Sequence, residues 1–237
     1  MDKAKRKEVE ISKDSFSYMH VEGKRHDKNI FFFHATGFNA ETYIPFFLKL
    51  GELLDDQYSI FALDQRGHGL SKATAVPSEL SSWNTYFADG NNFLSKFSSS
   101  ENILMGHSMG GLGALNIAIR NPEIYKTVSA FAPIANPTKG IWGQKQFEAY
   151  LGKETENWKK YDPSILLNEQ GYKGKILIDQ GTKDDFLKNL MPEALEKIFN
   201  NRDNRDQLRY QKDYDHSYFF VSSFLKDHVL WHKDHVK

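Results

Sequence analysis

The 237-residue sequence contains no cysteine, which excludes a disulfide framework, a thiolate metal site and a cysteine nucleophile. It also lacks an excess of charge of either sign, since Lys+Arg and Asp+Glu both number 31. That balance removes the cationic footprint of a nucleic-acid binder and leaves no polybasic patch for a membrane surface. No apolar run approaches the roughly 18–20 residues a membrane span requires, and mean hydropathy is −0.60. The glycine-rich patterns of dinucleotide and P-loop sites are missing, so nucleotide chemistry has no anchor. The opening Met1–Ile11 stretch is basic but has no apolar core of the signal-peptide kind. A soluble, cytoplasmic protein without nucleic-acid or membrane partners is expected.

What is present is an alternation of apolar runs and helical periodicity. The first seven residues, four of them Lys or Arg, are expected to fray. Val9–Ile11 and Ser17–Val21 predict a short hairpin around Ser12-Lys13-Asp14-Ser15. The continuous run Ile30-Phe31-Phe32-Phe33 reads as a strand covered on both faces. Glu41–Leu54 follows with helical spacing, and its Pro45 is tolerable in the first turn. Then come a strand at Tyr58–Leu63, the turn Gly67-His68-Gly69 and a helix over Ser82–Phe97. Beyond them lie a strand at Ile103–Met105, a helix at Gly110–Arg120 and strands at Thr127–Phe131 and Lys175–Asp179. A helix at Pro192–Phe199, a strand at Gln207–Gln211 and a final helix from about Ser217 complete the chain. Such alternation predicts an α/β fold with a mostly parallel central sheet and helices on both faces, forming one domain over residues 1–237.

Residues 132–174 form a long excursion with two expected short helices, near Gln144–Leu151 and Thr155–Lys160. Its aromatics, Trp142, Tyr150, Trp158 and Tyr161, either wall a pocket or simply pack the segment onto the sheet.

The sharpest motif is Gly106-His107-Ser108-Met109-Gly110, a G-x-S-x-G set between a short apolar strand and a Gly/Ala-rich helix. That context presents a serine on a tight turn, with the next amide and the helix N-terminus aimed at an oxyanion forming above it. A serine hydroxyl needs a base, and the base an orienting acid, in the order Ser, acid, His on this topology. His216 lies in a polar loop after the last strand and is the expected base, whereas His228, His232 and His235 sit on the terminal helix and are expected to be exposed. Those three make an incomplete ligand set, so no metal is expected. For the acid, Asp184 is preferred, Asp185 comes next and Asp179, still within its strand, is third. The second oxyanion donor is sought after the strand ending at Phe33, giving the backbone N–H groups of Met109 and Thr36. His34 is read as a buried structural histidine and Arg66 as a local salt-bridge partner.

From residue 106 to about 235 the chain resembles the S-formylglutathione hydrolase, or esterase D, family. The shared words are Gly106–Gly111, Ser129–Ile134, Trp142-Gly143, Tyr150–Gly152, Ile178–Gly181 and Tyr214–Tyr218. From about residue 30 to 105, His34–Phe38 and Leu63–Ser71 instead resemble the lid-type α/β-hydrolases typified by epoxide hydrolases and haloperoxidases. The chain therefore looks like a hybrid joined at the nucleophile elbow.

The resemblance implies an α/β-hydrolase fold without a full lid domain. The family's catalytic serine, aspartate and histidine fall on Ser108, Asp184 and His216. It implies no cofactor and a small-molecule ester or thioester substrate, most specifically S-formylglutathione, with a general short-chain carboxylesterase as the alternative. A non-catalytic protein on the same fold is the rival of another class, although binding-only relatives usually lose the serine or histidine. The loop lengths suggest an open pocket for short acyl groups, walled by Trp142, Trp158 and the Trp83 helix.

Overall fold

The structure is a computed structural model and describes residues 3–80, 84–202 and 206–236. It opens on an antiparallel hairpin, β1 (Ala4–Ile11) with β2 (Asp14–Val21), turned at Ser12, which has φ 58°. The hairpin is longer than the alternation indicates, and the expected fraying is overturned from Ala4 onward: Ala4–Lys7 pair in register with Val21–Tyr18. A run of cations solvates side chains but leaves the backbone free to pair. Arg6 also reaches inward to the buried Asp64 at 2.7 Å.

The central elements follow in strict alternation. They are β3 (Lys28–Phe33), a 3-10 turn at Ala40–Tyr43, α1 (Ile44–Leu53), β4 (Ser59–Leu63), α2 (Asn84–Phe97), β5 (Glu101–His107), α3 (Met109–Arg120) and β6 (Tyr125–Phe131). The excursion then carries α4 (Ile141–Leu151), α5 (Thr155–Lys159) and α6 (Pro163–Gln170). After it come β7 (Lys175–Gly181), α7 (Leu187–Leu190), α8 (Glu193–Phe199), β8 (Gln207–Gln211), α9 (Tyr218–Ser223) and α10 (Leu225–His235). Among the described residues the strands form one eight-stranded sheet in the order β1-β2-β4-β3-β5-β6-β7-β8, antiparallel as far as β4 and parallel from there on.

Period-two side-chain alternation assigns each strand residue to one of two cores. Phe31, Phe33, Phe61, Leu63 and Leu104 face the layer of α2, α3, α6 and α8. Ile30, Phe32, Ile60, Ala62, Ile103 and Met105 face α1, α9 and α10. Both faces of the inner parallel strands are thus dry, which is why the Ile30–Phe33 run has no polar position, whereas the edge strand β8 stays half-exposed.

Further features depart from the sequence reading. The helix α6 was not anticipated; its start is written in Asp162-Pro163, where the carboxylate accepts from the Ser164 and Ile165 amides and proline fills the first turn. The terminal helix breaks at Phe224 into α9 and α10, and α10 packs His228 and His232 inward, correcting their expected exposure. His232 bridges the Thr127 and Ser129 hydroxyls of β6, both at 2.9 Å. His228 stacks on Phe131 with ring centroids 3.9 Å apart.

Candidate active site

The strand-to-helix turn between β5 and α3 carries Ser108 at φ 55° and ψ −117°, a conformation rarely adopted by a side-chain-bearing residue. Two glycines permit it. A Cβ on Gly106 would lie 2.3 Å from the Gly110 carbonyl oxygen, and one on Gly110 would lie 2.1 Å from that of Phe33. The turn is pinned to the neighbouring strand because the Ser108 amide donates to the Phe131 carbonyl at 2.9 Å. The serine stands before the first turn of α3, where unpaired amides and the helix dipole favour negative charge.

Asp184 lies three residues past the end of β7. Its Oδ2 accepts from His216 Nδ1 at 2.7 Å and from Gln180 Nε2 at 2.8 Å, while Oδ1 accepts from the Phe186 amide at 2.8 Å. Burial alone would raise this carboxyl, but the His216 hydrogen bond and charge, with the Phe186 amide and Gln180, hold it below the usual carboxylate value. His216 comes from the loop between β8 and α9. The other two acid candidates are not joined to it: Asp185 is exposed, and Asp179 is turned the other way. Asp179 forms a paired contact with Arg209 at 2.6 and 2.7 Å and lies 3.4 Å from His228 Nε2.

Ser108 and His216 open into one pocket of about 580 Å³, which is within the usual size range of small-ligand sites. Thr36 and Met109 line it beside the serine, and the Thr36 hydroxyl donates to Met109 Sδ at 3.1 Å. Trp142 lines the wall as expected and packs on Phe186 at 4.7 Å, while Phe186 meets the His216 ring edge-on at 5.2 Å. Trp158 does not reach the pocket, a correction to the sequence reading. It is buried behind Phe147 at 6.1 Å and donates its indole N–H to the Gly152 carbonyl at 2.9 Å. A tryptophan in a pocket-wall segment can equally be the residue that glues that wall to the core. Trp83 lies outside the described residues.

Tyr150, one of the excursion aromatics named from the sequence, lines the pocket, whereas Tyr86, Phe147 and Phe186 were missed as lining residues. Tyr150 donates to the Ala75 carbonyl at 2.7 Å and its oxygen lies 3.2 Å from the Tyr86 hydroxyl. This pair ties α2, α4 and the loop before residue 80 into one rim. Phe186 could have been found from its place two residues after the acid. The pairing of Tyr86 with Tyr150 had no local signal, because the two lie 64 residues apart in the chain.

Two nearby residues behave as read. His34 is buried, with Nδ1 donating to the Ala35 carbonyl at 2.8 Å and Nε2 accepting from the Gln65 amide at 3.0 Å. Burial lowers its imidazole to about 4, keeping it neutral. Arg66 is held by Asp89 at 2.7 Å and Asp14 at 2.8 Å.

Comparison with known proteins divides the chain in two overlapping parts. The profile of the putative esterase family matches residues 91–231, and that of the alpha/beta hydrolase fold matches residues 29–146. The overlap contains the whole Ser108 turn. An S-formylglutathione hydrolase of Paracoccus denitrificans is 53% identical over 133 residues, which are 56% of this chain and 48% of that protein. The chain thus matches about half the length of that curated relative. Among solved structures, an S-formylglutathione hydrolase from Agrobacterium tumefaciens superimposes with a TM-score of 0.83 at 25% identity, covering 99% of this chain and 95% of the other. Alpha/beta hydrolase domain-containing protein 10 from mouse gives 0.74 at 15% identity over 97% and 99% of the two chains, a likeness of fold alone. With an esterase profile spanning more than half its length and an alpha/beta-hydrolase scaffold beneath it, the chain belongs to the putative esterase family.

Proposed function

We propose that this protein hydrolyses short esters and thioesters through an acyl-enzyme, with Ser108 as nucleophile, His216 as base and Asp184 as orienting acid. The observation that carries the reading is the 2.7 Å bond from His216 Nδ1 to a buried Asp184 carboxylate, in a pocket that His216 shares with Ser108. With Nδ1–H given to Asp184, the Nε2 lone pair is left to take the Ser108 Oγ proton. The serine oxygen then bonds to the acyl carbon, and the carbonyl becomes an oxyanion stabilised by the Met109 and Thr36 amides and by the end of α3. Collapse expels the alcohol or thiol, which takes the proton from His216. Water, deprotonated by the same imidazole, releases the acid and regenerates Ser108. Asp184 stays ionised throughout and stabilises the imidazolium.

S-Formylglutathione is the most specific substrate proposed, on the strength of the relatives bearing that activity in their names. Purified protein should hydrolyse it, and Ser108→Ala should not; equal rates for the two would remove the assignment. A second reading, a general short-chain carboxylesterase, is favoured by the pocket lining, which among the described residues contains no Lys, Arg, Asp or Glu. The charged ends of glutathione would then have to lie outside it. A chain-length series of p-nitrophenyl esters separates the readings. Ser108-dependent cleavage of acetate and butyrate without turnover of S-formylglutathione selects the carboxylesterase, and a preference for long chains overturns the short-acyl expectation.

A further inference from the structure

Three loops that the proposed reaction needs meet at one buried phenol. Tyr43 ends the 3-10 turn that precedes α1 and is fully buried. Its oxygen accepts from the Ala35 amide at 3.4 Å, one residue before Thr36. His107, the residue before the nucleophile, places its Nδ1 2.8 Å from the same oxygen. On another side the Tyr43 ring packs against Tyr218 at 5.8 Å, two residues beyond His216.

The partners on its two sides favour one tautomer of His107. The Ala35 amide uses the phenol oxygen as an acceptor, so the phenol's own proton is available to the imidazole. Nδ1 of His107 is then the acceptor and Nε2 carries the hydrogen. The ring so held lies 4.9 Å from the His216 ring and hydrogen-bonds to the His216 backbone. Burial depresses His107 to about 3, and the neighbouring His216 charge adds to this. The ring therefore stays neutral while His216 takes up and returns its proton.

We infer that Tyr43 is a positioning residue: its hydroxyl holds the Ala35-Thr36 segment and the His107 tautomer, and through His107 the pose of His216. The inference rests on the serine-hydrolase reading and extends it to a side chain outside the segment that the esterase profile matches. It also explains how a first half of different ancestry by resemblance can serve a triad drawn from the second.

The test is the steady-state hydrolysis of p-nitrophenyl acetate by wild type, Ser108→Ala, Tyr43→Phe, His107→Leu, His107→Gln and the Tyr43→Phe/His107→Leu double variant, with thermal midpoints measured alongside. Tyr43→Phe keeps the ring and deletes only the O–H. It should lower kcat roughly 5- to 10-fold, the scale of one neutral hydrogen bond, with KM within twofold. His107→Leu should lose at least as much, and His107→Gln, whose amide restores a donor near the Nε2 position, should recover part of it. The double variant should be no worse than His107→Leu, because both changes cut one chain of contacts. A kcat for Tyr43→Phe within twofold of wild type, a loss confined to KM, or multiplicative losses in the double variant would each overturn the inference. Should Tyr43→Phe not fold, an equal kcat for His107→Leu and His107→Gln overturns it independently. If the wild type shows no turnover above Ser108→Ala, the serine-hydrolase reading itself falls, an outcome distinct from a normal Tyr43→Phe.

Discussion

Acidification should destabilise this protein well above the pH at which carboxylates protonate. His34 and His107 are buried as neutral rings, lowered by that burial from 6.5 to about 4 and about 3. His232 is buried and lowered in the same direction. For a base whose folded value is depressed, both states are neutral at high pH. As pH falls through 6.5 the unfolded chain binds the proton and the folded chain does not, so stability is lost from pH 6.5 down to the folded value. At about 1.4 kcal/mol per pH unit of separation, His34 and His107 together remove about 4 kcal/mol between pH 7.5 and pH 5, and His232 adds to that loss. Against the roughly 5–15 kcal/mol of a typical domain this is a large fraction. Urea denaturation at the two pH values measures it: with a slope near 3 kcal/mol per M, the midpoint should fall by at least about 1.3 M. Asp89 and Asp206, both raised by burial, act in the opposite sense, and stopping at pH 5 limits their part. His34→Asn should flatten the pH dependence whatever its absolute stability. A wild-type midpoint unchanged between pH 7.5 and 5 would refute the reasoning.

Other outcomes follow from the site and its supports. Asp184→Asn should cut turnover by about 10³–10⁴-fold, as loss of the orienting acid does elsewhere, while Asp185→Asn retains most of it; the reverse pattern in kcat would move the acid. Gly110→Ala forces a Cβ against backbone, and should cost about 1–3 kcal/mol in denaturant titration and abolish labelling of Ser108 by a fluorophosphonate. Arg209→Met leaves Asp179 buried without its cation and should lower stability by about 3 kcal/mol, yet the folded fraction should keep its specific activity, because Asp179 is not joined to His216. A fall in activity per folded molecule would place Asp179 in the reaction.

The fold was legible wherever one residue class repeats at one period. The Ile30–Phe33 run, the alternation of strands with helices and the G-x-S-x-G turn each carry their meaning within a dozen residues. Asp184 and His216 could be named as candidates because chain order on this topology leaves few, and the structure joins the two at 2.7 Å. What the sequence hid was long-range or two-sided. Trp142 and Trp158 look alike on paper, and only the path of α4 and α5 decides that one lines the pocket while the other fills the space behind Phe147. His228 and His232 read as an exposed polar end, since nothing local says that β6 offers two hydroxyls and β7 an aspartate to receive them. Tyr43 scores as an ordinary core aromatic in the α1 region. Its hydroxyl gains significance only when His107, 64 residues later, comes within 2.8 Å.

The two rims of the sheet have a consequence for how the molecule keeps apart from its neighbours. An uncovered strand offers its amides and carbonyls to any passing chain, and natural proteins blunt it with charge, brevity or bulges. Here β1 sets Lys5, Arg6, Lys7, Glu8 and Glu10 along one rim, and the other rim, β8, is five residues long with Arg209 pulled toward Asp179. The runs with the greatest tendency to form intermolecular ladders, Phe31–Phe33 and Ser59–Leu63, are interior to both. The amino-terminal hairpin is thus a guard rail as well as two strands. Were it removed, β4, buried along its whole length, would become the new rim, and the shortened protein would precipitate by strand-to-strand addition before any loss at the serine could be measured.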